Sequence, residues 1–405
     1  MPSAEFNRNR VFASACLGIL VFGIVMTVLG TILPMLIERF AVDKASAGST
    51  FTLLSVGILT GSLVFGPVVD RYGFKGLLIV CTTLVLLGLE ALAFAPDFNL
   101  LRVAVFVIGF GGGVINGGTN ALVSDISIGE RSAGLSVLGV FFGIGAFGVP
   151  LVLGFLMESF SFSVLTGAVG LPVLIAIVYF TTVRFPTPKQ PQGFPISKGA
   201  ELARDPALLL LGAILFLQSG LEILTGGWTS TYFEEELSVE PRAAAFALSL
   251  FWVGVTLSRL ALGRILKKTD PARVLRICIA IAIVGSVFII ASQSLWIAYT
   301  GIFLTGVGLA AGFPVALGYA GDLYPRMSGT AFSVLFVLAL TGGSILPYAA
   351  GVLGAEYGLR SAFLLLPLAL LCMFILLTIT LKRLGGSEQR TQSSAPETME
   401  SFITE

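Results

Sequence analysis

Residues 66–75 read Gly66-Pro67-Val68-Val69-Asp70-Arg71-Tyr72-Gly73-Phe74-Lys75 and lie between two long apolar runs. Gly66 permits close contact between helices, and Asp70 can cap or face the N-terminus of a neighbouring helix. Arg71 and Lys75 add positive charge that stays at a membrane surface. The stretch therefore predicts a charged turn between two membrane-spanning helices.

The composition around this turn is that of a membrane protein. The chain has 405 residues, of which 56% are hydrophobic and only 12% are charged, whereas soluble domains carry roughly 25% charged residues. Its 48 glycines would weaken soluble helices but allow close helix packing in a bilayer. The lipid bilayer is therefore the expected solvent.

Composition also excludes several functional classes. The chain has no histidine, and its four cysteines lie in apolar runs without metal-like spacing: Cys16, Cys81, Cys278 and Cys372. A zinc site or a histidine-based catalytic site is excluded, so we expect no enzyme, metal or cofactor. The net charge of +1 gives no indication of a nucleic-acid partner. We expect a functional monomer with a small-molecule solute and a co-transported proton or cation as partners.

Apolar runs of about 20 residues, each long enough to cross the hydrocarbon core, number twelve. The first follows Arg8 and Arg10 but is too long for a signal peptide, so it predicts a first span. We expect an all-α membrane protein of twelve transmembrane helices near 11–37, 46–69, 76–96, 100–124, 132–157, 161–183, 206–233, 243–266, 272–292, 294–320, 328–353 and 359–381.

Lysine and arginine placement predicts the orientation. With the N-terminus inside, the inner segments hold 18 of these residues and the outer segments hold five, with Arg259 set aside inside a span. The outer loop after the seventh run instead carries Glu234, Glu235, Glu236 and Glu240. The positive-inside rule then places both termini in the cytoplasm and the chain in the cytoplasmic membrane.

The chain is predicted to consist of two similar halves. A constant shift of 197 residues pairs Gly66 with Gly263, Asp125 with Asp322, and the Ser-Val-Leu triplets at 136–138 and 333–335. We therefore expect pseudo-symmetric six-helix bundles at 1–183 and 206–384, related by an axis along the membrane normal. A Pro-rich cytoplasmic linker at 184–205 joins them, and a polar, disordered tail follows at 385–405.

The stretch at 66–75 closely resembles the G-x-x-x-D-R-x-G-R-K signature of major facilitator transporters, with Phe74 in place of one basic residue. The resemblance covers residues 8–384 and implies the major facilitator fold, alternating access and a cytoplasmic gate. The alternative is positive-inside anchoring by solvated loop charges. The motif, its degenerate second-half counterpart and the charges after spans four and ten imply a gate made of Gly66, Asp70, Arg71, Gly73, Lys75, Asp125, Arg131, Gly263, Asp322 and Arg326. Arg259 is expected to pair near this gate, and the alternative is that it binds an anionic substrate.

Glu222 is the strongest candidate for a binding residue. It lies about 26 Å along the seventh span at 1.5 Å per residue, just past the midplane. Gln218, Glu222, Thr225 and Thr229 share one helical face, and Gly226-Gly227 is expected to interrupt the helix before Trp228 and Tyr232. These residues predict a midplane binding site. The alternative is a structural carboxylate satisfied by a polar neighbour.

Spans seven and four resemble the fucose permease-like, sugar:proton symporter branch. The Gly-x-Glu…Trp…Tyr pattern of span seven recurs there, and Asn116 and Asn120 share one face of a Gly-rich span four. Their amides would suit sugar hydroxyls, although helix-packing contacts are the alternative. The first span lacks that branch's acid, and Asn116 occupies its protonatable position. Glu222 and Glu90 are the remaining candidates for proton coupling.

Two functions follow from these patterns. The first is a carrier of a small polar solute, such as a sugar, working by alternating access. The second is proton-driven efflux of amphipathic compounds, for which the 32 phenylalanines would supply apolar walls. A receptor or membrane enzyme has no support, because the sequence holds no catalytic constellation and no soluble domain.

Overall fold

A computed structural model describes residues 6–126, 131–186, 204–266, 268–324 and 328–393, without the side chains at 66, 67, 70, 71, 124, 131–136, 328–330, 332, 333 and 384–393. Twelve spans are present in this part of the chain, as predicted. Their helices are Arg8–Phe40 (span 1), Lys44–Tyr72 (2), Phe74–Phe94 (3), Phe98–Ile126 (4), Arg131–Leu156 (5), Phe162–Ala168 with Gly170–Thr182 (6), Pro206–Leu237 (7), Pro241–Ile265 (8), Pro271–Ala291 (9), Leu295–Leu309 with Gly312–Leu323 (10), Ser328–Tyr357 (11), and Leu359–Phe363 with Leu365–Ser393 (12).

Several helices start at an aspartate because its side chain accepts from free backbone N–H groups. Asp205 and Asp270 cap spans 7 and 9, each followed by a proline that needs no donor at that position. Asp43 caps span 2 by accepting from the backbone N–H of Ser46 at 2.6 Å. This hydrogen bond lowers the pKa of Asp43. Local capping therefore fixes where these spans begin.

Span 7 runs unbroken through Gly226 and Gly227, so the predicted interruption there is wrong. The glycines instead admit neighbouring helices. A Cβ atom at Gly30 of span 1 would overlap the carbonyl oxygen of Gly226, and one at Gly227 would meet the ring of Phe51. Small residues serve close helix approach in membranes without breaking the helix. The interrupted spans are 6, 10 and 12.

The 197-residue repeat reappears in the packing of both halves. A Cβ at Gly109 would overlap the carbonyl oxygen of Leu54, and a Cβ at Gly306 would overlap that of Phe251. Leu54 and Phe251 are themselves 197 residues apart. Each half therefore packs its second and fourth spans in the same register. The same correspondence holds for Gly111 beside Cys81 and Gly308 beside Cys278.

The two bundles meet mainly through spans 2 and 11, 5 and 8, and 1 and 7. Span 6 ends at Thr182 and span 7 begins at Pro206, on the same side of the membrane. We call this side the linker side and the opposite side the far side. Thr52 donates to the carbonyl of Ser344 at 3.0 Å, and Ser249 donates to that of Phe147 at 3.2 Å. These contacts join the bundles between mid-membrane and the far side.

Two predicted segments lie at the limits of the described chain. The linker prediction at 184–205 falls largely on residues 187–203, which lie outside the described residues. Span 12 continues as helix to Ser393, past the predicted boundary at 384. The rest of the predicted tail, 394–405, also lies outside the described residues.

Candidate functional site

Glu222 of span 7 and Arg259 of span 8 form an ion pair in the C-terminal bundle, beside the N-terminal bundle. Nη2 of Arg259 lies 3.2 Å from Oε1 and 3.4 Å from Oε2 of Glu222. The Glu222 side chain is 8% exposed and that of Arg259 is 32% exposed. The sequence predicts that Arg259 pairs near the cytoplasmic gate, and the structure gives Glu222 as its described partner. Its long side chain reaches a buried carboxylate, which would be costly to leave without a partner.

An aromatic side chain from the other bundle lies beside the arginine of this ion pair. The guanidinium of Arg259 lies 5.9 Å from the ring centroid of Phe142 in span 5. Phe142 also contacts Trp252 edge-on, at 5.8 Å between centroids, and Phe22 of span 1 at 5.8 Å. Both bundles therefore contribute to the site. Sequence analysis missed Phe142 and Trp252, because nothing in their spacing distinguishes them from other apolar side chains.

Gln218 connects Glu222 to the break in span 10. Its Nε2 donates to the carbonyl of Leu309 at 2.5 Å and lies 3.5 Å from Oε2 of Glu222. Leu309 ends the first half of the broken span, where carbonyls lose their helical donors. Pro314, which has no N–H, is the sequence signal that could have located this break. Gln218 and Glu222 thus lie together, on one face of span 7.

Trp228 and Tyr232 lie away from Glu222 and are engaged elsewhere. Trp228 donates from its indole N–H to the carbonyl of Pro347 at 3.0 Å, and Tyr232 donates from its hydroxyl to that of Ile289 at 3.0 Å. Both side chains are fully buried. At about 100° per residue, position 228 is roughly 240° around the helix from position 222. The structure therefore does not bring these two aromatics together with Glu222.

The remaining binding candidates form separate groups. Asn120 donates from Nδ2 to the backbone carbonyl of Asn116 at 2.8 Å and to its Oδ1 at 3.0 Å, so the two amides share a face. Glu90 of span 3 lies against the break in span 6, where its Oε1 would meet a Cβ placed on Gly170 at 2.7 Å. Glu90 therefore faces span 6, within the N-terminal bundle. Neither group has a described contact with Glu222.

The gate motif is described only in part. Gly73 has φ +79° and ends span 2, with its N–H donating to the carbonyl of Val69 at 2.8 Å. Such a positive φ favours glycine. Lys75 donates to the carbonyl of Thr181 at 2.8 Å, so it ties spans 3 and 6 on the linker side.

The other predicted gate residues leave the gate untested. Asp125 is partly buried at the end of span 4 and Asp322 is exposed at the end of span 10, and a Cβ at Gly263 would meet open space. The cytoplasmic gate stays a prediction, because several of its members lie outside the described side chains or residues: Gly66, Asp70, Arg71, Arg131 and Arg326.

An ion pair that sequence analysis missed joins the bundles at the far side. Nζ of Lys44 in span 2 lies 2.6 Å from Oε2 of Glu235 in span 7 and donates to the carbonyl of Gly354 in span 11 at 3.4 Å. Lys44 therefore links the N-terminal bundle to two helices of the other bundle. We call the contact between Lys44 and Glu235 the far-side latch.

Reversing one charge of the far-side latch should loosen far-side closure. Lys44→Glu or Glu235→Lys should raise cysteine labelling at Ser344→Cys, beside Thr52, by about two- to fivefold, since exposed pairs contribute about 1 kcal/mol or less. The double reversal should return labelling to the parent level. Arg102→Glu, an exposed position on the same side, is the control. Equal labelling in all variants would contradict a closing role.

Twelve spans in two bundles with matching packing, and an ion pair near the interface between them, are the architecture of a membrane carrier. A model of the Major Facilitator Superfamily matches residues 15–286 and 220–404, and the chain belongs to this family. It is a transporter and not an enzyme.

Similar proteins include two relatives that match over most of both chains. Bypass of stop codon protein 6 of Saccharomyces cerevisiae is 24% identical, over 89% of this chain and 79% of that protein. The glucose/mannose transporter GlcP of Bacillus subtilis is 20% identical, over 93% and 94% respectively. The crystal structure of the nucleoside transporter NupG matches with a TM-score of 0.79 at 13% identity, covering 92% and 99% of the two chains. This last similarity concerns the fold.

Proposed function

We propose that the chain moves a small polar solute across the cytoplasmic membrane by alternating access, with the Glu222–Arg259 pair at the binding site. The observation that carries this proposal is a nearly buried carboxylate whose cationic partner is one-third exposed at the interface between the bundles. Charged groups inside a membrane protein are costly and usually mark a transport path. The amides of Asn116 and Asn120 and the name of GlcP support a solute with hydroxyl groups, such as a sugar.

In the proposed cycle, this conformation is the one closed at the far side. The bundles pack backbone to backbone where span 1 meets span 7 at Gly30 and Gly226, and where span 2 meets span 11 at Gly48 and Gly351. The far-side latch adds an ion pair to this closure. With the linker in the cytoplasm, as its positive charge predicts, closure at the far side leaves the cytoplasmic side as the proposed route to the site.

Efflux of amphipathic compounds is the second candidate, because Phe142 lies beside Arg259 and packs against Trp252. Solute uptake into proteoliposomes, compared with drug susceptibility of cells that lack the protein, separates the two functions. Saturable uptake of a polar solute without altered susceptibility supports the first. Altered susceptibility without any polar solute uptake supports the second.

The proposed orientation predicts where reporters will be active. A reporter fused after Leu384 and another inserted at 190–195 should both report the cytoplasm, and one placed near Glu235 should report the outside. The reason is the excess of positive charge on the linker side. The measurement is paired alkaline phosphatase and fluorescent protein fusions. Reversed signals at these positions would contradict the orientation and leave the fold unaffected.

A further inference from the structure

Arg259 has hydrogen-bonding capacity beyond Glu222. Both oxygens of Glu222 accept from the same nitrogen, Nη2, and these are the hydrogen bonds of Arg259 found among the described residues. A guanidinium carries five N–H donors in a planar fork, which matches a carboxylate through two parallel bonds. Because its side chain is 32% exposed, Arg259 has room to bind a second acceptor.

Among the described side chains, no other charged group contacts this pair. Span 7 packs against spans 1, 8, 10, 11 and 12, and Arg259 is the one charged or titratable group on them with a described contact to Glu222. The other described charges on these five helices lie toward helix ends: Arg8, Arg10, Glu38, Arg39, Arg242, Arg264, Asp322, Glu356, Arg360, Lys382 and Arg383. The site therefore has a net charge of zero when Glu222 is ionised.

This charge balance discriminates between solutes. A neutral polyol can enter with the pair intact, so it requires no proton. A carboxylate brings one more negative charge into a site where unbalanced charge is costly. Protonation of Glu222 restores neutrality, because the carboxylate of the solute then becomes the counter-ion of Arg259. Arg259, the more exposed of the two, binds the carboxylate of the solute. Glu222, which is buried, needs only to take up a proton.

We infer that the solute bears a carboxylate and crosses the membrane together with one proton. This inference rests on the proposed function and narrows its solute to a small organic anion. On loading, the carboxylate of the solute binds the guanidinium of Arg259, and Glu222 releases Arg259 as it takes a proton from the aqueous phase. On release, the anion and the proton leave to the other side and the ion pair forms again. One negative and one positive charge move, so transport is electroneutral.

The test uses pairs of probes that differ in the carboxylate. Purified protein in proteoliposomes is offered gluconate or glucose, and 4-hydroxybenzoate or 4-hydroxybenzyl alcohol. The acid of at least one pair should raise the melting temperature and be transported, with its neutral partner inactive. An alkaline lumen should accelerate its entry, and a potassium diffusion potential set with valinomycin should not change the rate.

Arginine variants assign the effect to this site. Arg259→Gln should weaken acid binding roughly 30-fold or more, since it removes one partner of a buried charged contact. Arg259→Lys should recover part of the affinity, because it keeps the charge without the fork. The double variant Glu222→Gln with Arg259→Gln leaves no buried charge unpaired, so it should fold and still fail to bind acids. Arg242→Gln, at the far end of the same helix, is the matched control.

Each contrary outcome has a distinct meaning. Neutral probes that bind and move as well as their acids, or acids that fail to bind throughout, overturn the inference, and in the first case the proposed transport function stands. Acid transport that follows the membrane potential overturns the proton step. If no probe moves and cysteines on both sides never change accessibility, the proposed function fails as well.

Discussion

Replacing Glu222 by glutamine is expected to abolish accumulation driven by a pH gradient while solute exchange across the membrane continues. Glutamine keeps the shape and hydrogen-bonding capacity of the side chain but cannot take up a proton. With one proton per solute, a gradient of one pH unit supports about tenfold accumulation. In the variant this ratio should fall to about one. The measurement is labelled solute in proteoliposomes, followed with and without the gradient and in exchange against internal solute.

The control for this variant is Glu240→Gln, an exposed carboxyl at the far-side start of span 8. It should leave both exchange and accumulation unchanged. If Glu222→Gln lowers affinity while coupled accumulation persists, Glu222 contacts solute without carrying the proton. Wild-type accumulation and binding in the variant would make Glu222 a structural residue, and the assignment of the site would fail with it.

Replacing Gly30 by alanine is expected to open the far side. The added Cβ would overlap the carbonyl oxygen of Gly226 and lie 3.0 Å from the Cα of Gly227, so spans 1 and 7 could no longer pack as they do. Overpacking typically costs about 1–3 kcal/mol, which corresponds to roughly a five- to 150-fold shift between two conformations. The measurement is the labelling of cysteines at the far side and at the linker side, which should rise and fall respectively.

Gly148→Ala is the matched control, because a Cβ at that position of span 5 meets nothing within 4 Å. It should leave the labelling at both sides at the parent level. Unchanged labelling in Gly30→Ala would mean that the contact between spans 1 and 7 yields without affecting closure. If far-side and linker-side cysteines become equally labelled in both variants, the substitutions destabilise the fold in general.

The positions of the spans could be predicted because each depends on local properties of the chain. A span needs about 20 apolar residues, and a repeat at a fixed offset requires two bundles of the same topology. The aspartates at 43, 205 and 270 act within a few residues of their own position, as caps. The shared face of Gln218 and Glu222 likewise follows from helical periodicity alone.

The site was predicted only in part, because its partners come from distant helices. The sequence identified Glu222 but assigned Arg259 to the gate, since 37 residues separate them and pairing across helices has no local signal. The pair Gly226-Gly227 is compatible either with a break in the helix or with close packing of a neighbouring helix. The position of Gly30 against these glycines shows that close packing is the case. Trp228 and Tyr232 were expected in the site because of their proximity in sequence, yet helical rotation directs them to Pro347 and Ile289.

By itself the sequence determined the class of protein, the twelve spans, the two-fold repeat and the buried carboxylate at position 222. These features follow from hydropathy, spacing and the cost of charge in a bilayer. The tertiary structure alone decided that Arg259 is the partner of Glu222, that Phe142 of the other bundle lies beside Arg259, and that Lys44 joins the bundles at the far side. The physical reason is that helix–helix contacts depend on rotation and crossing of whole helices, which no local pattern encodes.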